Sequence, residues 1–235
     1  MEKNKTEGLP AGVKAALIDM DGVLYDSMPF HAQSWHQLFL DLGVTNSDPD
    51  EYYLYEGMKG SDTIGLILKR ELNRETTEEE RNEIYAQKTE LFRHCGEAEK
   101  MQGATDMLQA VKDLGLTTVL VTGSGQPSLL DKISHDYPGY FPKERMVTAF
   151  DVVNGKPHPE PYLKGLEKAG VKPSEAIVIE NAPLGVRAGK AAGIFTIAVT
   201  TGPIPREAFE KEGADLIFPD MPSFAKWLLQ LKDHG

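Results

Sequence analysis

The second half of the chain alternates short apolar runs with segments whose apolar residues recur at helical spacing. Glycines such as Gly115, Gly170 and Gly193 stand where the helical segments end. The runs predict strands at Thr117–Val121, 146–150, 176–179, Phe195–Val199 and 214–218. Together with an earlier apolar run that ends at Ile18, this order predicts a parallel sheet with helices on both faces.

The segment between the first two predicted strands is helical. Helices are predicted after Pro29, near 48–55, at 62–72 and from the capping box at 77–80. Because no strong strand pattern appears there, the sequence predicts a helical domain at 27–100, inserted into a core formed by 1–26 and 101–235. The predicted fold class is therefore α/β, a Rossmann-like doubly wound parallel sheet with an inserted helical bundle.

Composition and charge narrow the class of partner. The 235 residues are 40% hydrophobic and 26% charged, as is ordinary for a globular protein. The net charge of −11 argues against nucleic acid or an anionic membrane as partner, because both require a basic surface. Cys95 is the only cysteine, which excludes an internal disulfide. No secretory leader or membrane-length apolar run is visible, so we expect a cytoplasmic protein.

Two carboxylates follow the first apolar run, one residue apart, at a glycine turn. Asp19 and Asp21 precede Gly22, where the predicted strand ends. Two like charges this close are costly unless a cation or a shared proton relieves them. The pair therefore indicates a Mg²⁺ site or a nucleophile with an acid/base partner, although a solvated acidic turn is an equally ordinary explanation of this motif alone.

Further polar clusters fall at the ends of later strands or in the loops that follow them. They are Thr122-Gly123-Ser124, Lys156 and Glu180-Asn181. Taken singly, each is an ordinary loop, a surface lysine or a helix cap. Parallel sheets bind ligands beyond the carboxyl ends of their strands, and every cluster is predicted to lie there. Their common placement therefore indicates one site.

The chemistry of these clusters suits phosphoryl transfer from a substrate to a carboxylate. Such a reaction needs donors around the phosphate oxygens and a cation to offset repulsion between anions. The Thr122 hydroxyl, the backbone beside Gly123 and the Lys156 ammonium supply donors and charge. Asp19, the backbone carbonyl of residue 21 and Asn181 offer oxygen ligands suited to octahedral Mg²⁺.

These motifs resemble those of the haloacid dehalogenase superfamily. Asp19-Met20-Asp21-Gly22-Val23 resembles the first motif, Thr122 the second, Lys156 the third and Glu180-Asn181 the fourth. The segments 30–35, 155–157 and 182–186 are similar to the β-phosphoglucomutase-like subgroup, whose helical cap corresponds to the inserted domain. Segment 27–100 is called the cap below.

The resemblance implies a role for each site residue. Asp19 would form an aspartyl-phosphate, and Asp21 would protonate the leaving oxygen and then activate water or an acceptor hydroxyl. The implied phosphate ligands are Thr122, Gly123, Ser124 and Lys156, and the implied Mg²⁺ ligands are Asp19, Asp21, Asn181 and Glu180. His31, on the apolar side of its predicted helix, would contact Asp21 when the cap closes, although a purely structural histidine is the commoner case.

The cap departs from the sugar-phosphate mutases of this subgroup at two positions. Their matching segment resembles Lys-Gly-x-Ser-Arg, in which the arginine clamps the distal phosphate of the substrate. In this chain Gly60 stands at the arginine position and Glu56 at the lysine position. Glycine cannot form a bidentate phosphate clamp, and Lys59 would replace it only as a point charge.

The same segment resembles that of a bacterial inorganic pyrophosphatase in this subgroup. In that relative the cap glutamate reaches the metal site on closure, so Glu56 is the implied cap contact, with Lys59 and His31 beside it. A solvated Glu56 is the simpler alternative. We therefore predict a Mg²⁺-dependent phosphohydrolase that acts on inorganic pyrophosphate.

Two other functions stay open at this point. One is a β-phosphoglucomutase or a phosphatase for small sugar phosphates, which the type of cap also fits. The other is a non-catalytic, receiver-like domain that is only phosphorylated on Asp19. The second acid at Asp21 and the inserted cap argue against this last alternative.

Overall fold

The structure is built around one six-stranded parallel sheet with its first strand at the centre. It is a computed structural model that describes residues 8–125 and 127–233. Residues 1–7 of the predicted core segment and residues 234–235 lie outside the described part. The strands are β1 (Ala15–Ile18), β2 (Thr117–Val121), β3 (Met146–Val147), β4 (Ala176–Glu180), β5 (Phe195–Val199) and β6 (Leu216–Phe218). Their order is β3-β2-β1-β4-β5-β6, which confirms the predicted fold class.

Helices cover both faces of the sheet and form the cap. The cap helices are α1 (Met28–Asp41), α2 (Gly60–Leu72) and α3 (Glu78–His94), with a 3₁₀ helix at Pro49–Tyr55. The remaining helices are α4 (Ala104–Asp113), α5 (Pro127–Asp136), α6 (Glu160–Ala169), α7 (Pro183–Ala191), α8 (Arg206–Lys211) and α9 (Met221–Asp233), with 3₁₀ turns at Lys143–Arg145 and Pro173–Glu175. Among the described residues no helix combines the length and apolar character needed to cross a membrane.

The alternation of side chains along β1 gives the sheet two apolar faces. Leu17 packs into the layer beneath α6 and α7, and Ile18 packs into the layer beneath α4 and α9. All four residues of β1 are fully buried, as expected for a central parallel strand covered on both sides. The apolar run in the sequence therefore reflects two cores that meet at one strand.

The cap has an apolar cluster of its own. Its buried members include Trp35, Phe39, Tyr52, Ile64, Ile67 and Ile84. A domain has a hydrophobic core of its own, so this cluster supports a separate cap domain. The domain boundaries at residues 27 and 100 stay a prediction.

One predicted strand is shorter than expected, and one predicted helix is of a different type. The strand predicted at 146–150 ends at Val147, because the Asp151 carboxylate accepts hydrogen bonds from the amide and hydroxyl of Thr148, each at 2.8 Å, and turns the chain. The element predicted near 48–55 is a 3₁₀ helix whose cap, Asp48, accepts from the amide of Asp50.

Candidate active site

The register of the sheet brings the predicted site residues to one edge. Ile18 lies level with Leu120 on one side and with Ile179 on the other, so the ends of the three central strands coincide. The seven buried polar residues at this edge are Asp19, Asp21, Thr122, Ser124, Lys156, Glu180 and Asn181, none more than 6% exposed. Gly123 lies between Thr122 and Ser124 and lines a cavity between the cap and the core. The rule that ligands lie beyond the carboxyl ends of parallel strands therefore located the cluster correctly.

Lys156 is the central cation of this cluster. Its Nζ lies 2.5 Å from Asp19 Oδ1 and 2.6 Å from Glu180 Oε1, and it donates to the carbonyl of Val121 at 3.1 Å. Burial opposes the charged ammonium, but the Asp19 and Glu180 carboxylates outweigh it and raise the pKa of Lys156. The side chain therefore remains a cation in this buried position.

Both carboxylate oxygens of Glu180 accept hydrogen bonds. Oε1 accepts from Lys156 and from the Tyr162 hydroxyl at 2.7 Å, and Oε2 accepts from the amides of Asn181 and Ala182 at 3.0 and 3.1 Å. The carboxylate thus orients Lys156 and satisfies amides next to the start of α7. The implied role of Glu180 as a metal ligand stays a prediction, because in this structure both of its oxygens accept hydrogen bonds from these donors.

Asn181 and Glu56 join the core to the cap. Asn181 Nδ2 donates to Glu56 Oε2 at 3.1 Å, while Asn181 Oδ1 and Glu56 Oε1 are buried without a hydrogen-bond partner. Gly22, at φ +77°, makes room for this amide, since a Cβ there would lie 1.8 Å from Nδ2. The prediction that Glu56 reaches the core site agrees with this geometry.

The unpartnered oxygens fit a hard divalent cation. Each buried acceptor without a partner costs on the order of 1–3 kcal/mol, which a bound cation would offset. Burial first, and then the nearby Asp19, raises the pKa of Glu56 well above its usual value, so without a cation beside it this carboxyl favours its protonated form. Among the described residues no group of three or more His, Cys, Asp or Glu side chains is arranged to hold a metal. A cation here would therefore also use the Asn181 carbonyl oxygen and backbone oxygen.

A chain of buried polar groups leads from the cap to Asp21. Ser27 Oγ donates to Asp21 Oδ1 at 2.5 Å, and His31 Nε2 lies 3.2 Å from the same oxygen. Lys88 Nζ lies 2.6 Å from His31 Nδ1. The geometry suits a neutral imidazole that accepts from Lys88 and donates to Asp21. The structure thus brings His31 to Asp21, as the resemblance implies.

The charges along this chain are set mainly by burial. Burial lowers the pKa of Lys88 to about 7, and burial followed by the Lys88 charge lowers the pKa of His31. Burial alone would raise the pKa of Asp21, but His31 and Ser27 outweigh it and lower that pKa. Asp21 is therefore favoured as a carboxylate.

Lys59 does not reach the cavity. Its Nζ donates to the carbonyls of Val152 and Val153, each at 2.9 Å, and its side chain passes over Gly155. The predicted contact of Lys59 with substrate or metal is therefore corrected, because the amine extends along the outside of the core loop.

The cavity between cap and core is small, at about 50 Å³. Gly60 lets the ring of Tyr85 pack against the cap backbone, since a Cβ at residue 60 would lie 2.0 Å from that ring. Tyr85 thus fills space beside the position where the mutases carry an arginine. Tyr85 and Lys88 were not identified as site residues from the sequence. The available signal was a lysine within the apolar face of the predicted helix α3.

Comparisons with known proteins identify the relatives of this chain. A model of the haloacid dehalogenase-like hydrolases matches residues 13–193. Glycerol-1-phosphate phosphohydrolase 2 of Saccharomyces cerevisiae is 30% identical, over 90% of this chain and 84% of the relative. Hexitol phosphatase A of Escherichia coli is 31% identical, over 79% and 82%. A solved structure described as a candidate β-phosphoglucomutase from Bacteroides vulgatus is 53% identical, covers 95% of this chain and 91% of its own, and has a TM-score of 0.88.

Metal-free protein should lose stability as the pH rises, because of Asp19. Burial, against the attraction of Lys156, raises the pKa of Asp19 from 3.8 to about 8, so the folded state holds a proton that the unfolded state releases. The resulting stabilisation is complete below the unfolded value and is lost as the pH rises toward the folded one, at up to about 1.4 kcal/mol per pH unit. In EDTA we expect a lower free energy of unfolding at pH 8 than at pH 6, measured by urea denaturation.

The matched control for this measurement is Asp19→Asn, which should reduce the pH dependence and leave the part that comes from the raised pKa of Glu56. Equal slopes in the two proteins would contradict the assignment of the effect to Asp19.

Proposed function

The chain belongs to the haloacid dehalogenase-like hydrolases, in their β-phosphoglucomutase-like subgroup, and we propose that it hydrolyses a small phosphate compound through a phosphoryl group carried on Asp19. The observation that carries the proposal is a buried carboxylate at the end of the central strand, facing a closed cavity and flanked by Lys156, Thr122 and a second acid. Such a set supplies a nucleophile, phosphate donors and a proton acceptor.

Asp19 is the proposed nucleophile. One carboxylate oxygen attacks phosphorus, and the bond to the leaving oxygen breaks as the aspartyl-phosphate forms. Lys156 balances the charge on the phosphoryl oxygens, and Thr122, whose Oγ1 accepts the amide of Ser124 at 2.9 Å, keeps its hydroxyl proton for donation to the phosphate. These groups are fixed before substrate binds, so little reorganisation is needed during the reaction.

Asp21 is the proposed base for the second step. Its lowered pKa keeps Asp21 ionised and thus able to accept a proton from the attacking water, whose oxygen bonds to phosphorus as the bond from phosphorus to the Asp19 oxygen breaks. The same lowered pKa leaves Asp21 largely deprotonated near neutral pH, so little of it is available to protonate an alkoxide leaving group. A phosphate leaving group needs less protonation than a sugar alkoxide, so the environment of Asp21 supports cleavage of a phosphoanhydride.

Asp19, Asn181, Glu56 and the backbone carbonyl of Asp21 are the residues that would hold Mg²⁺. A bound Mg²⁺ ion would offset the negative charge of the phosphoryl oxygens against the carboxylates of the site. Glu56 comes from the cap, so its contribution depends on cap closure.

For the substrate we favour inorganic pyrophosphate. A single water needs about 10–15 Å³ on this volume scale, so with the cap in this position the cavity of about 50 Å³ has room for a few waters but not for a hexose ring. Tyr85 restricts the cap side of the cavity, and Gly60 offers no guanidinium for the distal phosphate of a sugar. A compact phosphate compound fits these restrictions best.

A phosphatase or phosphomutase for small sugar or polyol phosphates is the second candidate. The names of the reported relatives support this candidate better than the first, because they refer to glycerol 1-phosphate, hexitol phosphates and phosphoglucose rather than to pyrophosphate. An open cap would admit such substrates to the same core residues.

A substrate panel separates the two candidates. Phosphate release with Mg²⁺ is compared for pyrophosphate, glycerol, hexitol and hexose phosphates, and β-glucose 1-phosphate is also tested for isomerisation. Pyrophosphate leading by at least about tenfold in kcat/KM supports the first candidate. A lead for a sugar or polyol phosphate, or isomerisation of glucose 1-phosphate, replaces it with the second.

Asp19→Asn should lower turnover of every active substrate by at least about 10³-fold, because the amide is a poor nucleophile. The variant should remain folded at neutral pH, as measured by circular dichroism, although loss of the Asp19 partner of Lys156 lowers its stability. Substantial residual turnover in the folded variant would contradict nucleophilic attack by Asp19.

Glu56→Ala should reduce pyrophosphate hydrolysis roughly 10- to 100-fold, since it removes an oxygen at the junction of cap and core. Hydrolysis of p-nitrophenyl phosphate should change much less, because its aromatic ring does not fit the closed cavity. Glu83→Ala, at an exposed cap glutamate, is the matched control. Equal losses with both substrates would assign Glu56 a role unrelated to closure over a compact substrate.

Tyr85→Ala should enlarge the cavity and shift the ratio of kcat/KM values toward sugar phosphates by about tenfold or more. Tyr85→Phe retains the ring and should keep the wild-type ratio, which the same panel measures. An unchanged ratio in the folded Tyr85→Ala protein would show that this ring does not select substrates by size.

A further inference from the structure

The cap turn that follows Glu56 packs against two core loops at their glycines, Gly123 and Gly155. A Cβ at Gly123 would lie 2.7 Å from the carbonyl oxygen of Gly57, and a Cβ at Gly155 would lie 2.8 Å from Lys59 Cγ. Contacts under 3.0 Å leave no room for a side chain at either core position. The cap backbone therefore docks directly on the backbone of the core in this structure.

Lys59 binds the carbonyl oxygens of two peptide groups, and Glu160 binds the N–H groups of the same two. Lys59 Nζ donates to the carbonyls of Val152 and Val153, each at 2.9 Å. Glu160 accepts from the amides of Val153 and Asn154, at 2.8 and 2.9 Å. The 152 carbonyl and the 153 amide belong to one peptide group, and the 153 carbonyl and the 154 amide belong to the next. Each group thus has an ammonium at its oxygen and a carboxylate at its N–H.

This arrangement strengthens both sets of hydrogen bonds. A charged donor and a charged acceptor polarise the peptide between them, and charge-assisted hydrogen bonds are stronger than neutral ones. Glu160 belongs to the first turn of α6, so the core supplies its half whether the cap is open or closed. The Lys59 half comes from the cap and forms only when the cap is docked.

The loop held in this way leads directly to the catalytic lysine. Gly155 follows the two peptide groups, and Lys156 comes next with its ammonium bound to Asp19 and Glu180. Three residues before Lys59, Glu56 accepts a hydrogen bond from Asn181 of the core at 3.1 Å. The bonds of Lys59 therefore connect the segment that carries Glu56 with the segment that carries Lys156.

We propose that Lys59 is a positioning residue that stabilises the closed cap by binding the core loop that precedes Lys156. Its hydrogen bonds would thereby hold Glu56 and Lys156 in place together. The role in turnover rests on the proposed phosphohydrolase function, whereas the docking itself does not. Lys59 touches neither the cavity nor the reacting atoms. Its contribution is to the population of the closed cap.

Lys59→Met tests this role because it keeps the length of the side chain and removes the ammonium. We expect kcat/KM for the compound leading the panel to fall about 5- to 30-fold, with less than a twofold change for p-nitrophenyl phosphate. Lys59→Arg, which retains a cationic donor, should recover most of the loss. Lys69→Met is the matched control, because this exposed lysine of α2 pairs with Glu75, at 2.5 Å, away from the core loop.

Hydrogen exchange of the segment 56–62 measures docking without turnover. With Mg²⁺ and inorganic phosphate added, the wild type and Lys69→Met should show slower exchange in this segment, and Lys59→Met should lose most of that protection. Equal protection in Lys59→Met and Lys69→Met, or equal kinetics in the two, would overturn the proposal. If protection depends on Lys59 but the protein hydrolyses no compound of the panel, the docking role is upheld and the proposed function is rejected.

Discussion

A buried ammonium between two carboxylates is the interaction on which the site depends. Lys156 joins Asp19, at the end of the central strand, to Glu180, at the end of its neighbour, and thereby fixes three loops that are distant in sequence. Removing one partner from a buried ion pair costs about 3–5 kcal/mol, so these loops are strongly constrained. With Asp21 also buried and Glu56 at the junction of cap and core, the acidic side chains of the site outnumber the Lys156 ammonium. That excess, next to two unpartnered oxygens, is what makes the cavity suited to a cation and a phosphate together.

The cap completes the site rather than only covering it. It contributes Glu56 to the contact with Asn181, the His31–Lys88 pair to Asp21, and Tyr85 to the wall of the cavity. In the proposed function, the core contributes the nucleophile and the phosphate donors. Because substrate size is limited by the cap and the chemistry is performed by the core, relatives can share the phosphoryl-transfer residues and differ in substrate. This division of roles explains how the cavity of this chain can favour a compact substrate while the names of its relatives refer to sugar and polyol phosphates.

The sequence was sufficient to predict the sheet and the residues at its edge. Continuous apolar runs identify buried parallel strands, and the polar residues that end them must meet at one edge, as Asp19 and Thr122 do. The directions of side chains were harder to predict. Glu180 turns toward four donors and Lys59 toward two carbonyls, and both choices depend on neighbours far along the chain. Tyr85 was missed because its position beside Gly60 arises only when two cap helices pack.

The most direct test of the account is to trap the phosphorylated enzyme during a single turnover. Enzyme in excess is mixed with Mg²⁺ and the radiolabelled compound it hydrolyses fastest, quenched in acid within the first turnover and digested with pepsin. The account predicts label on the peptide that contains Asp19, appearing before free labelled phosphate, and no labelled peptide in Asp19→Asn. Labelled phosphate released without any labelled peptide, or label on a peptide that lacks Asp19, would contradict phosphoryl transfer through Asp19.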